Sequence, residues 1–215
     1  RTRAFDAKMS RNFVNLQNIE TEDGIRLAVK GEGVNSGNLK SKKDITIEAE
    51  QGKFVNDGDI DARGFFGSGI KNYGSITSVG KSSFGQGENH GSLSSEHGSI
   101  CILEDYTNYG TVSSSIISGD GIFRNKGTVS TLGISVKTYQ DLGGTINSAY
   151  LIINSDCENF LMCRQSKLNL DWFVIKQNES RSSRILDGII QAKNLTTYSS
   201  LEFLGILDAD LLETI

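Results

Sequence analysis

The sequence predicts an all-β protein wound as a β-solenoid. Three observations lead there. A short motif recurs at near-constant spacing, apolar and polar residues alternate between its copies, and the composition is rich in glycine and devoid of proline. Among 215 residues there are 24 glycines and no proline, so the chain makes its corners with Gly and Asn rather than with Pro.

The motif is Asn, any residue, Gly, any residue, aliphatic. Its copies are Asn35-x-Gly37-x-Leu39, Asn56-x-Gly58-x-Ile60, Asn72-x-Gly74-x-Ile76, Asn89-x-Gly91-x-Leu93, Asn108-x-Gly110-x-Val112 and Asn125-x-Gly127-x-Val129. A seventh copy, Leu142-x-Gly144-x-Ile146, lacks the Asn, and Asn15-x-Gln17-x-Ile19 is a degraded forerunner. The steps from Asn35 onward are 21, 16, 17, 19, 17 and 17 residues. That period is too short for helical repeats of about 33–47 residues. It suits one coil of two or three short strands at ~3.3 Å per residue, stacked ~4.8 Å apart. Asn and Gly tolerate positive φ, so a corner turned once per coil explains the recurrence. Stacked asparagines can hydrogen-bond as a ladder. Independent hairpins would favour adjacent Asn-Gly, whereas here one residue always separates them.

Taken along the chain, each coil supplies the same parts. Two residues before the Asn stands a large apolar residue in four copies: Phe54, Ile70, Tyr106 and Phe123. Leu39, Ile60, Ile76, Leu93, Val112, Val129 and Ile146 share one motif position and form the expected inward ladder. A second apolar set follows: Ile45 and Ile47, Phe65 and Phe66, Ile100 and Ile102, Ile116 and Ile117, then Leu132, Ile134 and Val136, and Leu151, Ile152 and Ile153. "DITIEA" and "LGISVK" alternate with period two, as strands do.

After residue 150 the motif stops, which divides the chain into a repeat region, 1–150, and a final segment, 151–215, of diverged coils and cap. "LNLDWFVI" and "SRILDGIIQA" read as strands. Asn159, Asn178 and Asn194 suggest coils continuing without the Gly. "LEFLGILDADLLE" carries apolar residues at helical spacing and predicts a short amphipathic helix closing the last coil.

Net charge is −4, from 22 basic and 26 acidic residues. This gives no footprint for nucleic acid or an anionic membrane, and no run approaches the ~20 apolar residues of a membrane helix. The chain opens "RTRAFDAKMS", without the apolar core of a signal peptide, as expected of a piece of a longer protein. Three cysteines, Cys101, Cys157 and Cys163, are read as buried free thiols, with a Cys157–Cys163 bridge the alternative. His90 and His97 sit on corners with Glu88 and Glu96 nearby, short of the convergent ligands a metal needs. No catalytic, cofactor-binding or metal-ligating residue is expected. The enzymatic alternative is a polysaccharide hydrolase or lyase using carboxylates on one sheet. Its candidates are Asp57, Asp59 and Asp61, or Glu104 and Asp105. In the repeat alignment Asp59 and Asp61 fall opposite Ser75 and Thr77, so no acidic ladder forms. "QNES" and "KNLT" match the glycosylation pattern but carry little weight.

Segments such as "NSGNLKSKKDITIEAEQGKFVNDGDIDA", "NYGSITS", "NYGTVSS" and "NKGTVST" resemble the repeats of the filamentous haemagglutinin family of bacterial exoproteins, over roughly residues 31–150. The resemblance implies a right-handed parallel β-helix, exported from a Gram-negative bacterium through an outer-membrane partner pore. It implies a secreted or cell-surface adhesin, haemolysin, or stalk presenting a C-terminal toxin, with a surface receptor or glycan as partner. The cysteines, the lysines and the wandering period depart from well-kept repeats of that family.

Overall fold

The computed structural model describes residues 3–49, 53–153, 160–162, 167–175, 184–186, 188–197, 201–203 and 205–214. It is a β-solenoid of about nine turns, all its strands parallel. Each coil has three faces. The first carries three- or four-residue strands ending on the motif Asn, such as Phe54–Asn56 and Ile70–Asn72. The second begins just after the Gly, as in Asp59–Ala62 and Ser75–Ser78. The third is represented by Ile25–Val29 and Ile45–Ala49. From Ser92–Ile102 onward the second and third faces run as one strand, bent where the register shifts between Ser95 and Ser99.

The interior is a set of ladders, one residue per coil. Leu39, Ile60, Ile76, Leu93, Val112, Val129 and Ile146 are successive register partners on the second face, each at most 2% exposed. The ladder continues through Leu168 and Ile190. On the first face Phe54, Ile70, Tyr106 and Phe123 all point inward. Glycines make room for the largest rings: a Cβ at Gly33 would lie 2.4 Å from the Phe54 ring, and one at Gly87 3.1 Å from Tyr106. Phe54 can therefore stack with Phe13, two coils away, at 6.1 Å between centroids. The third face buries Ile45, Ile47, Phe65, Ile100, Ile102, Ile117, Ile134, Val136 and Leu151. Not every residue expected there turns inward. Phe66 and Ile152 are half-buried, while Ile116 and Leu132 are 38% and 65% exposed. Phe66, Ile116 and Ile152 occupy the alternate, outward parity of their strands, and Leu132 stands at the bend between the second and third faces.

The C-terminal helix is not formed: Ile206–Thr214 is a strand, paired in register on Ile189–Thr197. Leu207 lies over Ile190, Ala209 over Ala192 and Leu212 over Leu195. The parity of the coil beneath overrides the helical spacing of the leucines. Leu211 and Leu212 are 48% and 57% exposed. Coils do continue through the final segment, at 167–175, 189–197 and 206–214, but not in the frame of the late asparagines. Asn194 lies over Trp172 on the third face rather than at the corner. Asn159, Asn178, Cys157, Cys163 and the "QNES" segment fall outside the described residues.

Candidate functional site

The feature that organises the surface is the motif corner. Its asparagines are inside the protein: Asn35, Asn56, Asn72, Asn89, Asn108 and Asn125 are each 0% exposed. From Asn15 to Asn108, each side-chain amide nitrogen donates to the Oδ1 of the next Asn up the stack. The bonds from Asn15 to Asn35, Asn56, Asn72, Asn89, Asn108 and Asn125 measure 2.7 to 2.9 Å. The same nitrogens reach backbone carbonyls beside them, as Asn89 does to Gly91 at 3.3 Å and Thr111 at 3.0 Å. A buried amide is tolerated because its donors and acceptor are matched.

The motif glycines have a different cause from the expected one. Positive φ occurs at Gly24, Gly69, Gly119, Gly143 and Gly188, and at none of Gly37, Gly58, Gly74, Gly91, Gly110, Gly127 or Gly144. What excludes a side chain is the coil beneath. A Cβ at Gly58, Gly74, Gly91, Gly110 or Gly127 would fall 2.0 to 2.1 Å from the carbonyl oxygen of the preceding motif glycine. Gly37 has the same contact with the carbonyl of Gln17.

The seventh corner is also placed differently. Asp141, not Leu142, pairs with Asn125, because Gly143 is an inserted residue at φ 105° before Thr145 pairs with Thr128. Asp141 is fully buried. Its Oδ1 accepts from the backbone N–H of Gly143 and Gly144 at 3.1 and 2.9 Å, and its Oδ2 from the Tyr139 hydroxyl. The row of Asn-to-Asn hydrogen bonds thus ends at Asn125, and Asp141 takes the next corner.

Outside this corner lies a group that the repeat alignment treats as variable. Tyr73, His90 and Tyr109 stand at the second motif position of three successive coils and stack. Tyr73 and His90 are 4.7 Å apart at 15°, His90 and Tyr109 4.5 Å at 7°. The two tyrosines are 51% and 41% exposed. A ring nitrogen of His90 lies 3.0 Å from Glu88 Oε2, with Lys71 Nζ 3.6 Å from the same oxygen. The His90 hydrogen bond holds the Glu88 carboxyl below its ordinary range, with Lys71 adding to it. His90 is therefore more than an exposed corner residue. The signal was in the sequence, as three consecutive aromatics at one motif position. His97 is exposed.

The candidate acids do not converge. Asp59 and Asp61 point outward and pair with Ser75 and Thr77. Ser75 donates to Asp59, and Asp61 is bound by Lys40 at 2.8 Å. Asp105 lies 3.2 Å from Arg124, on a neighbouring coil. Cys101 is a free thiol, half-buried on the outward side of the third face rather than in the core. Among the described residues no three His, Cys, Asp or Glu side chains cluster as metal ligands would, and no helix is long and apolar enough to cross a membrane. Neither a protein-family model, nor a curated protein, nor a solved structure matches this chain.

Proposed function

We propose that this chain is a non-catalytic segment of a large secreted or surface-exposed bacterial protein, serving as a rigid shaft and a binding surface. The observation that carries the reading is the repeated register of corner and core from Asn35 to Asn125. Coil after coil superimposes the same Asn, the same Gly and the same aliphatic, so the side chains on each face are held in fixed files. Such a rod separates and presents, and the outward acids Asp59 and Asp61 are taken up by Ser75 and Lys40 on neighbouring coils. The likeness of the repeats to filamentous haemagglutinin supports export through a partner pore, and a stalk for a C-terminal toxin is the variant of the same reading.

Two measurements test it. Surface biotinylation of intact cells making the full-length protein should label this segment, and labelling only after lysis would place it inside the cell and end the exoprotein reading. Incubation with polygalacturonate, alginate or chondroitin should release no reducing or unsaturated ends. Cleavage that disappears in Asp59→Asn or Asp61→Asn would make the rod an enzyme.

A further inference from the structure

We propose that the second face between Ser75 and Asn147, with the Tyr73–His90–Tyr109 stack along its edge, is a binding site for a neutral glycan chain. The inference rests on the reading of the rod as a binding surface and names its face and ligand.

The register defines two outward files across five coils. One holds Ser75, Ser92, Thr111, Thr128 and Thr145; the other holds Thr77, Ser94, Ser113, Ser130 and Asn147. All ten are exposed or half-buried. Nine are hydroxyls, one is an amide and none is charged. The charge resumes on both sides of the field. In the coil below, the same two positions are Asp59 and Asp61, and in the coil above, the first is Lys167.

Each hydroxyl both donates and accepts, as sugar hydroxyls do, so the field can pair with a polyol in either sense. A nucleic acid or an acidic glycan would require cations here, and a protein partner an apolar centre. The files run ~4.8 Å per coil and stand two residues, ~6.6 Å, apart across the strand, so the field repeats as a polymer does. Ser and Thr side chains are short and mounted on a fixed sheet, so little side-chain freedom is lost on binding.

The aromatic stack adds the second half of a sugar-binding surface. The stacked residues sit two positions before Ser75, Ser92 and Thr111 in their coils, and so form the rim of the field. Tyr73 and Tyr109 combine exposed apolar surface with a polar tip. That composition suits the C–H surfaces and hydroxyl edges of a sugar ring.

The test uses the 215-residue protein in pull-down with insoluble cellulose, curdlan and chitin and in affinity electrophoresis with mannan, with alginate and chondroitin as acidic probes. At least one neutral polysaccharide should retain it, equally at low and high salt. Thr111→Val, which keeps the shape and removes a hydroxyl, and Tyr109→Ser should each weaken retention, and Thr111→Asp should weaken it about tenfold or more, equivalent to ~1.4 kcal/mol. Arg26→Glu, outward on the third face, should leave it unchanged, and circular dichroism should show every variant folded. Retention by no neutral polysaccharide would overturn the proposal. So would retention only by acidic ones and lost in salt, or retention indifferent to Thr111→Asp and Tyr109→Ser. Inhibition of ice recrystallisation without glycan retention would instead assign the hydroxyl field to ordered water. Failure on every polysaccharide by a protein still biotinylated on intact cells removes the ligand and leaves the rod's placement standing.

Discussion

At the scale of the residue, Gly110 and Asn108 show how one motif holds two unrelated requirements. A Cβ on Gly110 meets the Gly91 carbonyl oxygen at 2.1 Å and the His90 carbonyl carbon at 2.7 Å. Both obstacles are backbone in a coil pinned by its neighbours. Gly110→Ala should therefore already cost about 1–3 kcal/mol in urea denaturation, as overpacking does. A cost near zero would show that the coils can part. Asn108→Ala removes the donor to Asn125 Oδ1 and the acceptor for Asn89 Nδ2, leaving buried polar atoms unmatched at about 1–3 kcal/mol. The sequence pointed to the right residues and to the wrong cause for the glycine, because spacing alone does not separate a positive φ from a close approach. Tyr106 is the opposite case. Its hydroxyl is buried and has no hydrogen-bond partner among the described residues. Burial pushes its pKa up from the ordinary 10. A pKa raised by folding contributes stability below about pH 10 that is lost as pH rises toward the folded value. Tyr106→Phe should be neutral or stabilising by up to about 1 kcal/mol at pH 7, and should reduce the loss of stability on the alkaline side. Tyr139, also raised by burial, keeps its share of that loss. A clear destabilisation by Tyr106→Phe would mean that the hydroxyl has a partner.

At the scale of the element, the coil is legible where the same problem is solved repeatedly and obscure where it is solved once. The inward ladder from Leu39 to Ile146 could be read directly, because a residue at one motif position has the same neighbour above and below. Asp141 could not, because the insertion of Gly143 shifts the alignment by one just where the Asn is lost. Leu211 and Leu212 imitate a helix in isolation, and only the register imposed by Ile189–Thr197 makes them strand. The Tyr73–His90–Tyr109 stack was hidden by treating the second motif position as free. Its acid side can be tested through Glu88. The carboxyl is depressed first by the His90 hydrogen bond and then by Lys71. A depressed pKa contributes stability that is present above the unfolded value, near 4.5, and is lost as pH falls through the lower folded one. Thermal unfolding followed from about pH 6 to pH 3.5 should show a slightly steeper fall for the native chain than for Glu88→Gln. The effect should be small, because the side chain is 35% exposed and solvent screens it. A Glu88→Gln curve parallel to the native one throughout would remove the His90 contact as a source of stability.

At the scale of the molecule, the stack is quasi-one-dimensional, and each coil touches mainly the coil on either side of it. The Asn89 and Asn108 corners have equivalent surroundings. Gly87, Glu88 and Asn89 lie under Tyr106, Thr107 and Asn108, and Ser92 and Leu93 under Thr111 and Val112. Removing residues 90–108, one full step of 19, joins Asn89 to Tyr109 and rebuilds the sequence Asn-Tyr-Gly-Thr-Val at the junction. Asn89 can then donate to Asn125 as Asn108 does, Leu93 is replaced by Val112 above Ile76, and Tyr73 meets Tyr109 where it met His90. The shortened chain should fold with an unchanged β-type circular dichroism spectrum. It should unfold cooperatively with a modestly lower urea m-value, since m follows the surface exposed on unfolding. Removing only residues 90–99 deletes half a step. It would place Ile100 at the His90 position, Ile102 at the Ser92 position and Leu103 at the Leu93 position, and it would bring Asn108 to the Gly98 position, in the bend between the second and third faces instead of at the corner. That chain should lose most of its stability, because a register error turns core residues outward and buries amides without partners. If both deletions were tolerated alike, the coil would not be the unit in which this protein is built, and the corner ladder would not be what sets its register.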